Sequence, residues 1–202
     1  MPQILFRLPI RIYALAVLAV GLAALLTFFL LSRSVDNAYQ MREGELDSLT
    51  DSMISVLANL EEQVRSGTLS LEEAQARGKE QIELVRFGKA GYFFAYDTDS
   101  IMVAHAVAKQ MIGKDQSNFE DVNGLRIFEE FGKVVGADGA GAVIYHFNKP
   151  GSEIQEAKMG YVKHFAPWGW TIGTGAYVSD IDAELSTMWW TAVASLAVSL
   201  AI

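Results

Sequence analysis

The feature that most restricts this chain is Ile12–Leu31, a run of 20 residues without a charge. A helix of that length covers the roughly 30 Å of hydrocarbon in a bilayer. Arg7 and Arg11 precede the run, Arg33 follows it, and Asp36, Glu43, Glu45 and Asp47 lie beyond. The basic bias favours a cytoplasmic N-terminus over residues 1–11 and a transmembrane helix over 12–32. A cleaved signal peptide would have a shorter apolar core, about 7–15 residues, and a small-residue cleavage site. This run is longer and closes on Phe28-Phe29-Leu30-Leu31, so a retained anchor is expected.

A second apolar run opens at Trp189-Trp190 and continues to Ile202. Paired tryptophans suit the headgroup belt. Residues 188–202 therefore read as the start of a second transmembrane helix, truncated where the sequence stops, with a cytoplasmic continuation expected. These two ends account for a mean hydropathy of +0.21. The net charge of −8 argues against nucleic acid, which selects a basic face. The absence of cysteine excludes disulfides, zinc–thiolate sites and cysteine nucleophiles.

Residues 33–187 read as one extracytoplasmic domain. Leu46, Leu49, Met53, Leu57, Leu60 and Val64 recur every three or four positions, the pattern of a long amphipathic helix. Gly67 ends it, and Ser70 with Glu73 forms a capping box for a second helix to about Arg86. From Gly88 the pattern turns strand-like. Tyr92–Tyr96 and Ile101–His105 flank the turn residues Asp97–Ser100 and predict a hairpin. A helix over Leu125–Val135 and a loop over Gly136–Gly141 are expected next. Strands follow over Ala142–Asn148, Ala157–Phe165 and Trp170–Tyr177, then a helix over Ser179–Leu185. The fold class is α+β, a five-stranded antiparallel sheet with long N-terminal helices on one face, flanked by transmembrane helices.

Several motifs, in this order, resemble the PAS-like single-Cache sensor domain of bacterial chemoreceptors. They are Gly91-Tyr-Phe-Phe-Ala-Tyr-Asp97, the hairpin ending at His105, Gly113-Lys114, Asp121-Val-Asn-Gly124, Gly139-Ala-Gly141 and Tyr145. Lys149-Pro-Gly151, Lys158, Tyr161-Val-Lys163 and Pro167–Val178 complete the match, which covers about residues 40–182. Three positions depart from the family pattern: Ser100 replaces a turn glycine, Ala106 a proline after His105, and Phe147 a tryptophan. The resemblance implies a methyl-accepting chemotaxis receptor of the bacterial inner membrane. Its sensor would be periplasmic, its form homodimeric, and its cytoplasmic signalling part would follow. It also implies a short-carboxylate ligand of the acetate, propionate, pyruvate or lactate class. The same domain serves histidine kinases and cyclic-dinucleotide enzymes, so other outputs stay open, as does a periplasmic protein-interaction module without a small ligand.

A buried carboxylate needs a cation and several donors. Strand alternation puts Tyr92, Phe94 and Tyr96 on one face, Val103 with His105, and Val143, Tyr145 and Phe147 together. Lys158 is the expected cation, because an ammonium inside a strand is otherwise poorly placed; the plainer reading is a solvated edge lysine. Tyr92, Phe94, His105 and Tyr145 are expected to line the site, against the plainer reading of core residues. Arg86 is placed at the rim, against a structural ion pair with Glu83 or Asp97. Of Trp168 and Trp170 one is expected to wall the pocket, with Trp168 preferred. His146 and His164 read as surface residues. No nucleophile motif or metal-spaced histidine pair appears. Asp97 and Asp99 lack the rest of a calcium loop, and Gly139-Ala-Gly141 lacks a phosphate-loop lysine. Catalysis, metal and cofactor are not expected.

Overall fold

The computed structural model describes residues 3–201. Met1 and Pro2 of the expected cytoplasmic N-terminus and Ile202 of the expected second membrane segment lie outside that range. The chain divides into two units, Met1–Gln40 with Leu185–Ile202, and Met41–Glu184.

The first unit is helical. It holds the N-terminal part of α1 (Gln3–Arg65) and the C-terminal part of α4 (Val178–Ala201). Among the described residues one helix is long and apolar enough to cross a membrane, and it carries the predicted apolar run. Leu15, Leu22, Leu25, Phe28 and Leu30 are all exposed on it, as is Trp190 on α4. Water would penalise each of these side chains by roughly 1.5–3 kcal/mol relative to an apolar surround.

In the second unit, α1 buries the predicted stripe: Leu46, Met53, Leu57 and Leu60 are inside, with Leu49 and Val64 packed beside them. α2 (Leu71–Leu84) begins at the expected capping box. The Glu73 amide donates to Ser70 Oγ at 3.2 Å, and the Ser70 amide donates to Glu73 Oε2 at 3.0 Å. These bonds to Ser70 hold the Glu73 carboxyl below its ordinary pKa.

Among the described residues seven strands follow, two more than expected. β1 (Arg86–Phe87) and β2 (Gly91–Tyr92) pair with each other as a small ribbon. β3 (Phe94–Asp97), β4 (Met102–His105), β5 (Ala140–Asn148), β6 (Gln155–Phe165) and β7 (Trp170–Tyr177) form an antiparallel sheet in the order β4-β3-β7-β6-β5. The predicted aromatic strand is thus broken at Phe93, so its first residues serve the ribbon instead. At the β3–β4 turn Asp97 Oδ1 accepts the amides of Asp99 at 3.0 Å and Ile101 at 2.9 Å. Ser100, where the family pattern has glycine, sits at φ 62°.

α3 (Ile127–Asp138) runs three residues past the predicted end, and the expected loop shrinks to Gly139. That residue adopts φ 76°, caps the helix and delivers the chain straight into β5. Two cores result. Phe93, Ala95, Ile172, Trp168 and Trp170 pack with α1 and α2 on one face of the sheet. Tyr92, Phe94, Tyr96, Tyr145 and Val162 pack with Ile127, Phe128 and Phe131 of α3 on the other.

Candidate ligand-binding site

On the α3-facing side, the middle of the sheet carries three glycines on two adjacent strands. Gly160 and Gly175 are register partners, and Gly173 lies two residues before Gly175. A Cβ on Gly160 would come within 2.5 Å of the Tyr145 ring, and one on Gly173 within 2.2 Å of the Phe94 ring. A Cβ on Gly175 would stand 2.7 Å from Lys158 Cε and 2.6 Å from the Met159 carbonyl oxygen. The aromatic rings and the lysine stem therefore lie flat on bare backbone, a layout only glycine permits.

Above this floor is a cavity of about 10 Å³, close to the least that holds one water. Its walls are Tyr92, Phe94, Met102, His105, Met111, Tyr145 and Phe147, and Ile127, Phe128 and Phe131 of α3 form the roof. The rings interlock: Phe131 meets Tyr145 edge-on at 5.3 Å and stacks on Phe94 at 5.9 Å. Met111 and Phe147 also line a broad open cleft outside, together with Lys114 and Lys149. These two side chains separate the inner space from the outer one.

Lys158 sits immediately behind the wall. Its cross-strand partners are Tyr145 on β5 and Tyr177 on β7, and its side chain is completely buried. The ammonium lies 3.9 Å from the Tyr92 ring centroid, 5.3 Å from Tyr177, 5.7 Å from Phe147 and 6.0 Å from Tyr145. Nζ has no hydrogen-bond partner, and neither do the hydroxyls of Tyr92 and Tyr96. Burial alone brings the Lys158 pKa down to about 7. Burial, ahead of the neighbouring tyrosines, raises that of Tyr92 well above the ordinary range. Tyr177 is satisfied, donating to the Asn148 carbonyl at 2.6 Å, and is pushed up to about 12, chiefly by burial.

His105 is held in one tautomer. Its Nδ1 accepts the amides of Val107 at 3.1 Å and Ala108 at 2.8 Å, so the proton resides on Nε2. Burial, then the charge of Lys158, then those of Lys109 and Arg86, lower its pKa to about 3. The imidazole is a neutral donor.

Of the seven residues expected at the site, Tyr92, Phe94, His105 and Tyr145 come together on the cavity wall with Lys158 behind them. Arg86 and Trp168 do not join them. Arg86 donates to the carbonyls of Glu83, Val85 and Ala106, tying α2 and the ribbon to the end of β4. Its expected carboxylate partner Glu83 pairs with Lys109 instead. Trp168 and Trp170 both lie on the opposite face of the sheet: Ala166–Trp168 form a short 3-10 turn closed by the left-handed Gly169, and both rings pack with α1 and α2. Trp168 Nε1 donates to Glu61 at 2.7 Å, and its ring packs on Gly78. His146 is less of a surface residue than expected. Its amide donates to the buried Asp121 carboxylate at 2.9 Å, and its ring lies 3.3 Å from the same oxygen. The sequence reading missed the roof of α3, the two methionines and Tyr177. The spacing of Ile127, Phe128, Phe131, Val134 and Val135 is a helical stripe and carried the signal for the roof. Glycine at alternate positions of one strand signalled the floor.

A family model, Single Cache domain 2, matches residues 39–191. The chain belongs to the Single Cache domain 2 family. The methyl-accepting chemotaxis protein McpP of Pseudomonas putida is 30% identical over 176 residues, covering 87% of this chain and 32% of McpP. The sensor histidine kinase MctS of Rhizobium johnstonii is 27% identical, covering 86% of this chain and 40% of MctS. The chain thus spans well under half of each of these relatives. A solved periplasmic sensor domain of a chemotaxis protein is 31% identical, with a TM-score of 0.67 over 69% of this chain and 97% of that one. A Cache chemosensory domain solved for its recognition of carboxylic acids is 29% identical, with a TM-score of 0.68 over 71% and 97%. These likenesses are to sensor input domains, and both chemoreceptors and histidine kinases carry this kind of Cache domain.

Proposed function

We infer that this chain is the sensing part of a membrane-anchored receptor, and that it binds a short carboxylate between the glycine floor and α3. One observation carries the reading: a fully buried ammonium without a hydrogen-bond partner, set against the face of Tyr92. Buried polar groups are nearly always paired, and an unpaired buried charge is the costliest exception. An anion of a few atoms would answer the set. Its oxygens would accept from Lys158 Nζ, Tyr92 Oη and His105 Nε2, and its short chain would meet Phe94, Phe131 and Met102. The size limit follows from the cavity. Even acetate needs more room than about 10 Å³ gives, so Met102, Met111 and Phe147 must turn aside, and methionine does this at little cost. A carboxylic-acid ligand in a relative of the same fold supports the class.

In this reading α1 crosses the bacterial inner membrane, the sensor domain faces the periplasm, and two copies pair. The strong match to a chemotaxis protein favours a chemoreceptor output, and the match to MctS keeps a kinase output as the second reading.

Calorimetry on the 202-residue chain in nanodiscs, with acetate, propionate, pyruvate and lactate at pH 6.5, tests the ligand class. Binding that disappears in Lys158→Met supports the reading. Equal binding by that variant removes Lys158 from the site, and no binding of any of the four acids ends the carboxylate proposal.

A further inference from the structure

Resting on that reading, we propose that the site takes up its carboxylate together with a proton, so that the receptor responds to anion and acidity jointly. Lys158 Nζ is surrounded by rings. β2 offers the face of Tyr92, β5 offers Tyr145 and Phe147, and β7 offers Tyr177. α3 roofs the cavity with Ile127, Phe128 and Phe131, while Glu129 and Glu130 pair with Lys133. Asp180 pairs with Lys149, and the Glu156 carboxylate accepts from Ser179 and lies 4.0 Å from Lys149. Among the described residues no carboxylate forms an ion pair with Lys158 Nζ, and no acceptor reaches it.

The empty site therefore stabilises an ammonium only through ring faces, without a paired counter-ion. Near pH 7 and above, the neutral amine becomes the resting form, in line with a pKa brought down to about 7. A carboxylate arriving at this amine meets no charge. It gains its counter-ion only if Nζ binds a proton from solution, since the tyrosines, raised by burial, have no tendency to release one at this pH.

His105 does not substitute as proton acceptor. Its Nδ1 already accepts two backbone amides, and protonation there would break both bonds. Lys109 and Arg86 also hold it neutral. The proton goes to Lys158, and the net event is equivalent to binding the undissociated acid.

The sign follows. Carboxylate raises the Lys158 pKa, so affinity is greatest and flat below the free-state value and falls as pH rises through it. Above about pH 7 the apparent affinity should drop about tenfold per pH unit.

The experiment is titration calorimetry of the 202-residue chain in nanodiscs with propionate from pH 6 to 9. Each pH is run in two buffers of different ionisation enthalpy. The expected result is close to one proton absorbed per propionate at pH 8.5, almost none at pH 6, and a Kd about thirtyfold weaker at pH 8.5 than at pH 6. Propionate binding with a flat Kd and no buffer dependence overturns the proton coupling and leaves the carboxylate reading standing. Failure of propionate and the three other acids to bind at pH 6 overturns both.

Discussion

Replacing Lys158 by methionine should make the ligand-free protein more stable while removing its response to carboxylate. Methionine has similar length, and its thioether packs well against rings. A pKa brought down from 10.5 to about 7 corresponds to about 5 kcal/mol against the buried ammonium. That whole difference is present at pH 6, where the folded and unfolded lysines both hold the proton. Thermal unfolding in nanodiscs, followed by tryptophan fluorescence, should therefore show a Tm about 10–20 °C higher for Lys158→Met at pH 6. The gap must also depend on pH with a definite sign. Between about pH 7 and 10.5 the unfolded lysine keeps a proton that the folded one has lost. Wild type then gains about 1.4 kcal/mol per pH unit, and the two curves converge near pH 10. A variant less stable than wild type at pH 6, or a gap that does not change with pH, would refute the buried-ammonium argument.

Gly175→Ala should push Lys158 Cε aside and crowd the Met159 carbonyl, costing about 1–3 kcal/mol and weakening propionate binding, as calorimetry and thermal unfolding would show. Trp168→Phe deletes the bond to Glu61 on the far side of the sheet. Stability should fall by about 1–2 kcal/mol with ligand affinity unchanged, and a lost affinity would return Trp168 to the site. Ser100→Gly relieves a left-handed serine in the β3–β4 turn, and denaturant unfolding should show a gain of about 0.5 kcal/mol. Lys163 joins β6 to Asp47 and Asp51 of α1. As these side chains are partly solvated, Lys163→Ala should cost only about 0.5 kcal/mol, and less in high salt.

The fold was readable where one face of an element is plainly apolar. The α1 stripe from Leu46 to Val64, the box at Ser70 and Glu73 and the strands around Tyr145, Lys158 and Ile172 follow directly from periodicity. The ends of α3 were less readable, since Gly136 suggests a break that the helix simply tolerates, and the stop is set by the left-handed Gly139. Within the site, alternation placed Tyr92, Phe94 and Tyr145 together. It was no guide to Trp168, because the bend at Gly169 decides which face each flanking tryptophan meets. Arg86 was misplaced for a different reason: its partners are backbone carbonyls, which leave no mark in side-chain patterns.

The glycine floor also bears on how the proposed site could change its ligand range. Gly160, Gly173 and Gly175 are already the smallest residues available, so the sheet has no further depth to give. A lineage adapting to a bulkier acid must carve from the ceiling, at Ile127, Phe128 or Phe131. A lineage adapting to a smaller one must fill from the same ceiling, because a methyl on any of the three glycines would strike Tyr145, Phe94 or Lys158. Diversity in ligand size is therefore expected to accumulate on one helix, while the two strands beneath it stay bare.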